Sequence, residues 1–166
     1  MITVLKARPL TREAFAPFGD VIETEGARGF AINAGLAERF HDLARIDIAA
    51  EGGRPLLSIF RGLTRPPPLR LTLMERHPLA SQAFFPLHER DWLVVVATGP
   101  EPCRPEALQA FRATGRQGVN YARGTWHHPL IVMAPDHEFL VIDRGGDGTN
   151  LEEVPFPDPT EVILDL

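Results

Sequence analysis

The chain has very little cysteine: Cys103 is the only one in 166 residues. That excludes an intrachain disulfide and any cysteine-rich zinc site, and it suits a reducing compartment. Cys103 lies in Pro102-Cys-Arg-Pro105 with no histidine beside it, so it reads as an incidental thiol. Lysine is nearly absent too. Lys6 stands alone against sixteen arginines, and these cations are scattered along a chain of net charge −5. Without a basic stripe, binding to a phosphate backbone is not expected. No run reaches the ~18 apolar residues of a membrane helix, and Met1 to Leu10 lacks the apolar core of a signal peptide. A cytoplasmic, water-soluble protein is the expectation.

The hydrophobic fraction of 44% is enough to bury a sizeable core, and the length fits a single domain over residues 1–166. Short apolar segments recur between turn signals, at Ile2 to Leu5, Asp20 to Glu23, Leu56 to Phe60, Leu69 to His77, Gln82 to Pro86, Trp92 to Thr98, Leu130 to Ala134 and Phe139 to Asp143. That rhythm predicts an all-β sandwich or barrel with minor short helices. Thr11 caps a short turn through Phe15, and Pro105 to Ala113 carries a proline near a helix start. Thr64 to Leu69 is a proline-stiffened spacer suited to a loop or sheet edge. Glu152 to Thr160 is expected to wrap the surface before Val162 to Leu164 docks. Gly145-Gly-Asp-Gly148 has no following helix or lysine, so it reads as a tight turn and not as a phosphate loop.

The residues with chemistry fall in two stretches. Alternation along Leu69 to His77 places Leu69, Leu71, Leu73, Glu75 and His77 on one face, with the leucines marking the interior. Glu75 and His77 then share one space, about 6.5–7 Å apart along the strand. A turn over Pro78 to Ser81, read as a hairpin, returns Gln82 beside His77, where its amide suits a polar uncharged group such as a ureido function. In the second stretch, Gly124 permits a positive-φ turn just before Trp126-His127-His128. Alternation allows only one of His127 and His128 to face inward, with Trp126 on the side of His128. Tyr121 and Arg123 precede the turn, while Arg61 and Arg144 end apolar strands where a guanidinium can grip a carboxylate. His41, His88 and His137 sit in polar contexts and read as surface residues.

These stretches resemble a known pattern. The run from Gly118 to His127 is similar to the second cupin motif, with Ala122 where proline is usual. Glu75-x-His77, four residues and Gln82 stand where the first motif has His-x-His, a short spacer and Glu. A closer resemblance, across most of the chain, is to the ureidoglycolate lyase family. It is carried by Phe15 to Asp20, Glu75 to Phe84, Gly118 to Pro129 and Asp143 to Glu152. The resemblance implies a cupin-type β-barrel or jelly roll, commonly a homodimer, that splits (S)-ureidoglycolate into glyoxylate and urea in purine nitrogen catabolism. It also implies a divalent metal, nickel by family association, on Glu75, His77 and His127.

The chemistry asks for a base to take the C2 hydroxyl proton and an acid to protonate the departing urea nitrogen. Glu75, His77 and His127 are the catalytic candidates, with either histidine as the base and Glu75 as the acid if burial raises its pKa. Gln82, Tyr121, Arg123 and Arg144 are the substrate-binding candidates. Competing readings are another cupin enzyme, an isomerase or dioxygenase, and a non-catalytic barrel that only binds a small ligand.

Overall fold

The computed structural model describes residues 2–157 and 161–166. Its strands, in chain order, are β1 (Ile2–Pro9), β2 (Gly19–Ile22), β3 (Gly29–Ile32), β4 (Ala37–Phe40), β5 (Arg54–Gly62), β6 (Leu69–Leu71), β7 (Leu73–Arg76) and β8 (Gln82–Pro86). They continue with β9 (Trp92–Ala97), β10 (Leu108–Ala113), β11 (Gly118–Tyr121), β12 (Trp126–His127), β13 (Ile131–Val132), β14 (His137–Gly145), β15 (Glu152–Pro155) and β16 (Glu161–Asp165). One sheet runs β15-β7-β12-β9-β10-β1-β16-β6, with β13 also on β9. A second runs β2-β11-β8-β14-β5, and β3 and β4 form a small separate ribbon. The expected all-β, cupin-type barrel is what forms. Among the described residues no helix is long and apolar enough to cross a membrane.

Strand β9 organises the packing. Its unbroken apolar run is buried on both faces, as such a run must be in the middle of a layered fold. Trp92, Val94 and Val96 face the barrel interior, with Phe15, Phe111, Val119, Tyr121, Phe139 and Val141. Leu93, Val95 and Ala97 face an outer core shared with Leu69, Leu71, Met74, Val162 and Leu164. The one α-helix among the described residues, α1 (Arg12–Phe15), starts where the Thr11 hydroxyl accepts from the Ala14 N–H at 3.2 Å, and it delivers Phe15 to the inner core.

Four local readings change. The Pro105 to Ala113 stretch is a 3₁₀ turn over Pro105–Ala107 followed by strand β10, because Leu108, Ala110 and Phe111 are needed in a sheet beside β9. Leu69 to His77 is not one strand: it breaks at Thr72, after which Met74, and not Leu73, enters the outer core. Leu69 and Leu71 therefore mark the outer core, while Glu75 points the opposite way from Met74. Pro78 to Ser81 is not a hairpin turn, because β7 and β8 belong to different sheets and the chain crosses between them. Glu152 to Pro155 pairs with β7 as strand β15, and residues 158–160 of the expected surface wrap lie outside the described residues.

Candidate active site

Glu75 and His127 meet because β7 and β12 are neighbours and these two residues are directly opposed in the register. Gly124, at φ +77°, makes the turn that sets β12, and its N–H donates to the His77 carbonyl at 3.0 Å, tying the two stretches together. His127 Nε2 lies 3.4 Å from Glu75 Oε1, and the rings of His77 and His127 have centroids 5.3 Å apart. Tyr121 lies flat on His127, with centroids 4.0 Å apart and planes within 10°. The three side chains that sequence reasoning grouped are thus brought to one place at one end of the barrel.

Backbone carbonyls orient both imidazoles. His127 donates from Nδ1 to the Thr125 carbonyl at 2.9 Å, leaving Nε2 buried with no hydrogen-bond partner. His77 donates from Nδ1 to the Asn150 carbonyl at 2.7 Å, and its Nε2 lies 3.1 Å from Gln82 Oε1. A carbonyl at Nδ1 that turns Nε2 toward a common centre is the arrangement that fixes metal-binding histidines. One ligand atom from each of Glu75, His77 and His127 lies within 4.8 Å of the other two. Two imidazoles and a carboxylate form a donor set for a divalent transition metal, so these residues fit such an ion. His77 Nε2 and the acceptor Gln82 Oε1 likewise need a proton or a cation between them.

The electrostatics correct one expectation. Burial raises the Glu75 pKa, but the His127 imidazole 3.4 Å away, together with His77 and His128, outweighs it and leaves it below the ordinary carboxylate value. Glu75 is therefore an ionised carboxylate and not a proton-loaded acid. Burial, reinforced by Glu75, drives the Tyr121 phenol far above its ordinary value, so it remains a neutral donor.

His128 is a residue that alternation missed. Strand β12 ends at His127, the zigzag stops there, and His128 turns back into the interior instead of following Trp126 into the outer core. It donates from Nδ1 to the Pro129 carbonyl at 2.7 Å, and burial pushes its pKa down to about 4. Together with Glu75, Tyr121 and His127 it encloses a void of about 10 Å³, room for one water at most. This void adjoins a cavity of about 570 Å³ that opens past Glu75, Gln82, Phe84 and Leu130 to a rim of Phe60, Leu63 and Arg65.

The arginines sort clearly. Arg144 is buried and spends its guanidinium on the carbonyls of Ala50, Glu51 and Asp147, so it fastens loops outside the cavity. Arg123 donates to the Pro78 carbonyl at 2.6 Å and lines grooves on the other side of the Gly124 turn. Arg61 is paired with Glu138 at 2.7 Å. Arg65, in the proline-rich spacer, lines the cavity without a carboxylate partner among the described residues. Its signal was present in the sequence, as the one cation inside a stiff loop, but only the fold puts that loop at the mouth. His137 is also not a surface residue: it is fully buried at the start of β14 and stacks on Phe139 at 4.4 Å.

The family model described as ureidoglycolate lyase matches residues 2–163. Among relatives bearing that name, the chain is 56% identical to one from Burkholderia mallei (strain NCTC 10229) over 154 residues, spanning 93% of this chain and 90% of the relative. It is 53% identical to ureidoglycolate lyase 1 of Rhizobium meliloti (strain 1021), over 99% of each chain. The relative from Azotobacter vinelandii (strain DJ / ATCC BAA-1303) is 48% identical over 97% of each.

Proposed function

Because the chain belongs to the ureidoglycolate lyase family, we propose that its single domain splits ureidoglycolate into glyoxylate and urea in the cavity beside Glu75, His77 and His127. The observation that carries the assignment of roles is the unpartnered His127 Nε2, buried 3.4 Å from the Glu75 carboxylate. His127 is the base. It removes the C2 hydroxyl proton, and the imidazolium so formed is held by Glu75, which stays ionised. As the O–H bond breaks, the carbon–oxygen double bond of glyoxylate forms and the C–N bond cleaves. His77 delivers a proton from Nε2 to the departing nitrogen, completing urea. Gln82 and the Tyr121 wall orient the ureido end, and Arg65 at the rim takes the substrate carboxylate.

With a divalent ion, nickel by the family resemblance, Glu75, His77 and His127 would instead be its ligands, and the ion would polarise the substrate oxygen and neutralise its developing charge in place of the two imidazoles. The protein works as a cytoplasmic homodimer in this reading. Leu57 and Ile59 are 71% and 53% exposed on edge strand β5, and the register sets Leu140, Ile142 and Phe85 beside them on the same outer sheet face. A monomer seldom leaves such a continuous apolar face in water.

Purified protein mixed with ureidoglycolate should release urea and no ammonia. His127→Ala and Glu75→Ala should each lower kcat by about 10²–10⁴, the range for loss of acid–base catalysis. Arg65→Ala should raise KM with kcat little changed. Full turnover by His127→Ala would sink the scheme.

A further inference from the structure

We infer that Asp143 is a positioning residue for this site: it fixes the Gln82 amide so that the carbonyl oxygen, and not the NH₂ group, faces His77 and the cavity. The inference rests on the lyase reading for the identity of the ligand. Its geometry does not depend on that reading.

Asp143 lies on β14 in step with Phe139 and Val141, which point into the inner core, so its side chain enters the barrel at the end that carries the site. There the Gln82 Nε2 amide donates to Asp143 Oδ2 at 3.5 Å, and Gln82 Oε1 lies 3.1 Å from His77 Nε2. Gln82 is only 6% exposed, and it lines the cavity. The two ends of a primary amide have nearly the same shape, so only the hydrogen-bond network chooses between them. A carboxylate only accepts. Asp143 therefore admits one orientation, NH₂ toward itself and oxygen toward His77.

Stability does not explain Asp143. Its Oδ1 is buried with no partner, and a buried carboxylate oxygen left unsatisfied costs folding free energy. The return lies in the cavity. Gln82 Oε1 has two lone pairs; one faces His77 Nε2, and the other is an acceptor for a donor on the ligand. A ureido NH₂ is such a donor. A methyl group in its place is not, and a ligand oxygen would be repelled. Asp143, without touching the ligand, makes this wall selective for the ureido end.

The test compares two unreactive competitive inhibitors, ureidoacetate and N-acetylglycine, which differ only in NH₂ against CH₃ at the terminal position. Neither carries the C2 hydroxyl whose proton starts the cleavage. The native enzyme should bind ureidoacetate about tenfold more tightly, the worth of one hydrogen bond. Asp143→Asn offers donors as well as an acceptor and lets Gln82 turn round, so the preference should fall within about twofold. Gln82→Ala should lose it equally, and the double variant should be no worse than Gln82→Ala alone. If Asp143→Asn folds poorly, Asp143→Ser gives the same comparison. An intact tenfold preference in folded Asp143 variants, or losses that add in the double variant, overturns the role of Asp143 while leaving the lyase reading standing. Failure of the native enzyme to release urea from ureidoglycolate overturns both.

Discussion

His127 and His128 are adjacent imidazoles with the same hydrogen bonding, Nδ1 on a carbonyl and a buried Nε2 without a partner, and a neighbouring carboxylate separates them. His127 keeps the Glu75 carboxylate 3.4 Å from Nε2. His128 has only the Pro129 carbonyl on Nδ1 and a buried, unpartnered Nε2, with Arg65 and His127 adding repulsion to desolvation. Its pKa of about 4 in the fold, against about 6.5 when unfolded, means that the unfolded chain binds more protons between those values. Stability should therefore fall as pH is lowered from about 6.5 toward about 4 and flatten below. The loss amounts to roughly 3 kcal/mol at ~1.4 kcal/mol per pKa unit. Urea unfolding of chelator-treated protein at stepped pH measures it, and His128→Gln should remove that part of the slope. An unchanged slope in the variant would show that the titration belongs elsewhere.

Among the elements, β16 joins two neighbours with one short strand. It runs parallel to β1 and antiparallel to β6, closing the outer layer with Val162 fully buried and Leu164 nearly so. Each such side chain contributes about 1.5–3 kcal/mol by burial. Deleting residues 161–166 should cost about 3–6 kcal/mol, read as a drop in the unfolding midpoint, with Leu93 and Val95 of β9 newly exposed to water. The active-site end of the barrel lies on the other face of β9, so the truncated chain, where folded, should keep its KM. The same two-sided burial explains why β9 was legible in the sequence while β10 was not. An unbroken Trp-Leu-Val-Val-Val-Ala run has one natural home, whereas Leu108 to Ala113 follows Pro105 and carries apolar spacing that a helix also satisfies.

For the molecule as a whole, the outer face of β8, β14 and β5 is the surface most in need of cover. Leu57→Glu together with Ile59→Glu places two charges on that face, and the double variant should sediment as a monomer while retaining its fold. A native protein that already sediments as a monomer would overturn the homodimer. Cavity residue Phe60 lies in β5 and Leu63 directly follows the strand, so loss of the proposed dimer should also weaken substrate binding. By itself the sequence determined the all-β class and the family, because period-two alternation and short motif spacing are local properties, and the motifs grouped Glu75, His77, Gln82 and His127 although the single strand and the hairpin used to place them do not form. Tertiary structure alone decided the break at Thr72, the inward turn of His128, the ionised state of Glu75, the diversion of Arg144 to loop carbonyls and the arrival of Arg65 at the mouth. These depend on which side chains from distant strands share a low-dielectric space, and no local pattern carries that information.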